Sequence, residues 1–143
     1  LRRSWKKEGF YMTAPHERWF RKADGDLAAA RILMAAADPP LDVICFHCQQ
    51  ATERYLKGYL VLKGIEFLKK HDLDYLVDLC VAADASFSEL NITAEMLNGY
   101  EVEARYPGEI VDESYTPGEA AEALARAEHV AVFVRAKIAS IRP

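Results

Sequence analysis

Apolar residues recur every three or four positions along most of this chain, and glycine and proline fall between the periodic stretches. Such spacing places apolar side chains on one face of a helix. No stretch alternates between apolar and polar residues in the way that a half-buried strand does. The pattern therefore predicts an all-α protein.

Two long helices are predicted in the first half of the chain, over residues 15–37 and 41–63. The pair Pro39-Pro40 separates them, because the residue before a proline disfavours helical backbone. Asp42 is a candidate cap for the second helix, and Gly64 is its candidate C-terminal glycine. The second helix carries apolar residues on nearly every face, so we expect it to be the central one.

Three further helices are predicted over residues 72–83, 93–103 and 117–141. Thr116 and Glu119 have the spacing of a capping box at the start of the last of these. Helices joined by short loops pack antiparallel. The sequence thus predicts an up-and-down four-helix bundle with one extra short helix.

Composition indicates one ordinary globular domain. The chain has 143 residues, of which 51% are hydrophobic and 28% charged, and this length can bury a core without disulfides or metal. Three cysteines make no disulfide framework, and no apolar run reaches 18 residues, so we expect a cytoplasmic protein without a membrane segment. The net charge of -4 means that any contact with nucleic acid must be local.

The first eleven residues, LRRSWKKEGFY, are basic and lack the apolar stretch of a signal peptide. Met12 follows them and is a plausible start. We therefore expect residues 1–11 to be a disordered leader, a cloning remnant or a mobile arm, and residues 12–143 to form the domain.

Four segments together resemble the HEPN domain family. The segment FHCQQATERYLKGYLVLKG resembles the signature helix of that family, and WFRKADGDLAAARILM resembles its first helix. KKHDLDYLVDLC and the tetrapeptide RYPG follow in the family's order. The resemblance covers about residues 15–141. It implies a helical bundle that forms a homodimer, binds a nucleotide or RNA, and works beside a minimal nucleotidyltransferase in a toxin-antitoxin-like setting.

Some branches of the family are ribonucleases that carry an arginine, a spacer of four to six residues, and then a histidine. None of the four histidines has an arginine at that spacing, and Arg105 is followed in the critical window by Ile110, Val111 and Asp112. We therefore predict a binding module with no catalytic residues. Two alternatives stay open: a ribonuclease with a nonstandard active site, or a module that only binds another protein.

The candidate ligand residues on the second helix are His47, Gln50, Arg54 and Lys57. Their spacings of three, four and three place His47, Gln50 and Arg54 on one helical face, with Lys57 near its edge. Arginine offers phosphate a bidentate fork and lysine offers it a point charge. The alternative is a solvated helix edge, with His47 and Gln50 in hydrogen bonds between helices.

The other candidates lie in the loops. In the rigid Arg-Tyr-Pro-Gly turn, Arg105 is a candidate phosphate ligand and Tyr106 could stack on a base. Tyr115 could donate its hydroxyl, and His71 belongs to a basic cluster before the third helix. Alternatively, Arg105 neutralises nearby glutamates, the tyrosines are core residues, and His71 fixes its turn. We expect Arg105 to converge with the polar face of the second helix.

A metal site is conceivable around Cys45 and Cys48, which flank His47 in a C-x2-C pattern. The sequence has no second C-x2-C and no H-x3-H to complete a zinc site. Both thiols lie in an apolar segment, so we expect them, with Cys80, to be buried small hydrophobes. We predict neither a metal nor a cofactor.

Overall fold

The computed structural model describes residues 6–7, 10–11, 14–100 and 115–141. A two-residue antiparallel ribbon pairs Lys6–Lys7 with Phe10–Tyr11. Apart from this ribbon the described elements are helical, as predicted, and none of the described helices is long and apolar enough to cross a membrane. The α-helices are α1 (Pro15–Met34), α2 (Leu41–Lys63), α3 (Leu73–Ala83), α4 (Asn91–Leu97) and α5 (Pro117–Ile141), and a 3-10 helix spans Ala85–Leu90.

Helix α2 is the centre of the protein, as its apolar pattern predicts. It packs against α1, α3, α4 and α5. Its side chains Tyr55, Leu56 and Leu60 are almost completely buried. At Gly58 the helix lies so close to α1 that an added Cβ would be 2.5 Å from Cε1 of Phe20. This glycine allows α1 and α2 to pack closely along the face that carries the polar residues.

Two of the predicted helix-end signals are confirmed. Gly64 closes α2 with a φ of 72°, a left-handed conformation that glycine adopts without steric cost. Thr116 Oγ1 accepts from the Glu119 backbone N–H at 3.0 Å, and the Glu119 carboxylate accepts from the Thr116 N–H at 2.9 Å. Asp42 is not the cap of α2, because Pro40 holds that position; Asp42 lies in the first turn, where its charge still favours the helix dipole.

The segment before α4 differs most from the prediction. Helix α4 begins at Asn91, two residues earlier than expected, and already ends at Leu97, inside the predicted range of 93–103. A 3-10 helix precedes it directly. Phe87 and Leu90 anchor this 3-10 helix in the core, since their exposed fractions are 0% and 1%. Two buried apolar residues in a segment of six do not produce a recognisable helical period, so the sequence did not predict this 3-10 helix.

Candidate functional site

His47 and Arg54 meet on one carboxylate, that of Asp26 in α1. His47 Nδ1 lies 3.0 Å from Asp26 Oδ1, and Arg54 Nη1 donates to Asp26 Oδ2 at 2.5 Å. The Asp26 side chain is 10% exposed, whereas those of His47 and Arg54 are 27% and 29% exposed. A nearly buried carboxylate thus holds an imidazole and a guanidinium at the surface of the α1–α2 groove. We call these three residues the Asp26 cluster.

The Asp26 cluster leaves binding groups available on the side chains of both His47 and Arg54. With Nδ1 of His47 directed to a carboxylate oxygen, Nε2 is the ring nitrogen left for another partner. Arg54 uses one Nη atom on Asp26, and its guanidinium carries further N–H donors. Donors held by a buried carboxylate lose little rotamer freedom on binding, which favours recognition of an oxyanion.

Lys57, from the same predicted face, lies in a different environment. Its Nζ donates to Glu53 Oε2 at 2.7 Å, and the two side chains are only 8% and 4% exposed. The rings of Trp19 and Phe67 lie 5.6 and 5.7 Å from the ammonium. Because charges buried this deeply need a partner, the contacts of Lys57 are those of a structural ion pair.

Gln50 and His71 both connect to the buried carboxylate of Glu53, Gln50 by way of Gln49. Gln50 donates to the Gln49 side-chain oxygen at 2.7 Å, and Gln49 donates to Glu53 at 3.3 Å. His71 Nδ1 lies 3.0 and 3.1 Å from the two Glu53 carboxylate oxygens, with 48% of its side chain exposed. The loop after α2 is therefore tied to α2 through His71. The predicted face is divided between two carboxylates, Asp26 and Glu53.

Of the candidates in and beside the loop before α5, the structure describes only Tyr115. Arg105 and Tyr106 lie outside the described residues, so their approach to His47 and Arg54 stays a prediction. Tyr115 is half-buried and packs beside Tyr100, with ring centroids 5.7 Å apart.

Sequence reasoning missed both carboxylates that organise the site. Asp26 lies at helical spacing from Ala23 and Ala30, so a charged residue on the apolar stripe of α1 was the available signal. Glu53 precedes Lys57 by four residues, which is the spacing of a helical ion pair. A carboxylate on an apolar helix face indicates a cation partner on a neighbouring turn or helix.

A second polar group links α1, α2 and α5. Asp24 accepts from the Tyr55 hydroxyl at 2.5 Å and from Arg135 Nη2 at 2.6 Å. Burial and the hydrogen bond to Asp24 raise the pKa of Tyr55 well above its usual value. The hydrogen bond to Asp24 also raises the pKa of Arg135. Asp24 thus uses one carboxylate oxygen for Tyr55 and the other for Arg135, which fixes Arg135 on the side of α1 that faces α5.

The cysteines have the environment that the apolar pattern predicts. All three, Cys45, Cys48 and Cys80, are fully buried. Burial raises the pKa of Cys48 and of Cys80 to about 12. Within the described ranges, no group of three or more His, Cys, Asp or Glu side chains is arranged to hold a metal ion.

Comparison with known proteins agrees with this architecture. Residues 16–137 match the HEPN domain family. The crystal structure of TT1696 from Thermus thermophilus is similar, with a TM-score of 0.72 and 27% sequence identity over 87% of this chain and 99% of that chain. The crystal structure of ST0689, an archaeal HEPN homologue, has a TM-score of 0.68 and 27% identity over 86% of this chain and 97% of that chain. No curated protein is significantly similar in sequence. Since the family match covers most of the chain, this protein belongs to the HEPN domain family.

Proposed function

We propose that this protein is a HEPN binding module that contacts a phosphate group of a nucleotide or RNA with His47 and Arg54. The observation that carries the proposal is the Asp26 cluster, in which one nearly buried carboxylate hydrogen-bonds both side chains while each stays more than a quarter exposed. Held in this way, Arg54 presents N–H donors to an oxyanion, and His47 adds one at Nε2 when its ring is protonated.

The net charge of the cluster sets the strength of this contact. Asp26 offsets the charge of Arg54, and a protonated His47 would leave the cluster with one positive charge. The ligand therefore gains directed hydrogen bonds more than bulk attraction, in keeping with the acidic total of the chain. We propose that Arg105 and Tyr106 complete the site, with Arg105 adding a second guanidinium.

Fluorescence anisotropy tests the proposal, with a labelled single-stranded RNA of ten nucleotides and with ATP as competitor, both at low salt. The substitution Arg54→Gln should weaken RNA binding about tenfold or more, the usual effect of losing a charge-assisted hydrogen bond. The matched control is Arg31→Gln, because Arg31 also pairs with a carboxylate, Glu128, at 2.7 Å but lies between α1 and α5. The absence of RNA and ATP binding, or equal losses in both variants, would contradict the proposal.

One observation favours a second candidate function, that of a ribonuclease with a nonstandard active site. His47 and His71 each have Nδ1 within hydrogen-bond distance of a carboxylate, which is how a general base is oriented. Incubation of the protein with RNA separates the candidates. If the protein cleaves RNA and His47→Gln or His71→Gln abolishes the cleavage, the protein is a ribonuclease and the binding proposal is wrong.

The proposal extends to assembly, on the strength of family membership. We propose a homodimer that works with a minimal nucleotidyltransferase in a toxin-antitoxin-like context. Light scattering after size-exclusion chromatography should give twice the mass of the chain, and co-expression with a nucleotidyltransferase encoded beside it should give a stable complex. A monomer at every concentration would contradict the first part, and separate elution of the two proteins the second.

A further inference from the structure

A cavity of about 530 Å³ lies between the N-terminal half of α1 and the C-terminal end of α5. Sites for small organic molecules have volumes of about 300–1,000 Å³, whereas one water occupies about 30 Å³. The cavity shares no lining residue with the Asp26 cluster. It is therefore of a size to hold an organic molecule at a place that the proposed function does not use.

One wall of the cavity is built around a fixed cation. Both carboxylate oxygens of Asp24 are engaged, one by Tyr55 and the other by Arg135. The guanidinium of Arg135 lies 5.7 Å from the centroid of the Phe20 ring and 5.9 Å from that of Tyr55. Two ring contacts and one ion pair hold Arg135 in place, and half of its side chain is exposed.

The rest of the lining supplies an apolar surface and a second cation. Phe20, Ile138 and Ala139 contribute the apolar part, and the nearly buried imidazole of His16 also lines the cavity. Arg21 is exposed, and among the described residues it makes no hydrogen bond or ion pair. Glu17, one turn earlier on α1, is exposed and also lines the cavity, and its negative charge opposes that of an anionic ligand. The lining thus places two guanidinium groups with donors to spare next to an apolar wall.

We propose that this cavity binds a small aromatic anion, with the acid group between Arg21 and Arg135 and the ring against Phe20, Ile138 and Ala139. Guanidinium groups bind carboxylate and phosphate through paired N–H donors and also stack on aromatic rings. Asp24 and Arg135 offset each other's charge, so at this pair the ligand gains the spare N–H donors of Arg135. Glu17 opposes the ligand, so removing its charge should tighten binding.

Titration by 19F NMR tests the proposal with 4-fluorophenyl phosphate and 4-fluorobenzoate as probes. We expect saturable binding of at least one acid, and the acid that binds more tightly identifies the headgroup. Arg21→Gln should weaken it about tenfold, as expected for a lost hydrogen bond between charged groups. Glu17→Gln should tighten it at least about twofold, since it removes a like charge. The matched control is Arg18→Gln, an exposed arginine of α1 outside the cavity, with a change below about twofold.

Three results would overturn the proposal. The first is that neither acid binds saturably, and the second is that the cation 4-fluorobenzylamine binds more tightly than both acids. The third is loss of probe binding in His47→Gln, which would place the probe at the Asp26 cluster. Unchanged probe binding in His47→Gln would show that the probe does not bind at the Asp26 cluster. The proposal for the cavity then stands even if the proposed function fails.

Discussion

The close approach of α1 and α2 at Gly58 predicts opposite effects for the same substitution at two helical glycines. In Gly58→Ala, the new Cβ would lie 2.5 Å from Cε1 and 2.9 Å from Cδ1 of Phe20, against about 3.5–4.0 Å for ordinary contact between carbons. Phe20 is 6% exposed and stacks on Tyr55, so it has little room to move. Gly25 lies in α1 with nothing within 4 Å of an added Cβ.

The magnitudes follow from two terms. Overpacking in a core costs about 1–3 kcal/mol, and alanine gains about 1 kcal/mol over glycine inside a helix. Gly58→Ala should therefore lower the free energy of unfolding by about 1 kcal/mol, while Gly25→Ala should raise it by about 0.5–1 kcal/mol. For a chain of this length the two variants should differ in Tm by about 6 °C.

Urea unfolding of the wild type and both variants, followed by circular dichroism, measures these changes. The pair is informative because both substitutions have the same effect on helix propensity and differ only in the space around the Cβ. An increase in stability for Gly58→Ala equal to that for Gly25→Ala would refute the close packing of α2 on Phe20.

Three further predictions use the same unfolding measurement. Glu53→Gln should lower stability by about 3–5 kcal/mol, because it leaves Lys57 buried with no carboxylate partner; a loss below about 1 kcal/mol would contradict the buried pair. Thr116→Ala should cost about 1 kcal/mol by removing the capping box, and no change would mean that α5 does not depend on it. Because burial raises the pKa of Cys48 and Cys80 to about 12, the folded thiols keep protons that the unfolded thiols lose near pH 8.5. The contribution of the two protonated thiols to the free energy of unfolding should be fully present below about pH 8.5. Above that pH the free energy of unfolding should fall, by at most about 1.4 kcal/mol per pH unit for each thiol. The same free energy of unfolding at pH 8 and pH 10 would contradict this.

The helices were the part of the structure that local sequence could predict. Helix α2 was predicted over its full length, because its apolar residues and the glycine at its end are signals carried by neighbouring residues. Helix α5 was predicted by its capping residues for the same reason. The 3-10 helix at Ala85–Leu90 was missed because its core contacts are made by only two side chains.

The site was predicted only in part, because its organising contacts join distant segments. The spacing of His47 and Arg54 placed them on one face, but Asp26 is 21 and 28 residues away from them in the chain. Which residue of α1 faces them depends on how the two helices pack, and the sequence of α2 does not specify that. Lys57 shares the predicted face, yet the depth of its burial follows from Trp19 and Phe67, which belong to other segments.

The most direct test of the central claim is the imidazole nitrogen signal of His47 in a 1H–15N NMR titration with a 5′-phosphorylated RNA oligonucleotide. His129 provides an internal control, since it is also exposed and also pairs with a carboxylate, Glu89, at 2.8 Å. We predict that the Nε2 signal of His47 shifts saturably and that the His129 signals stay in place. An unchanged His47 signal, or shifts of equal size in both histidines, would contradict phosphate binding at the Asp26 cluster.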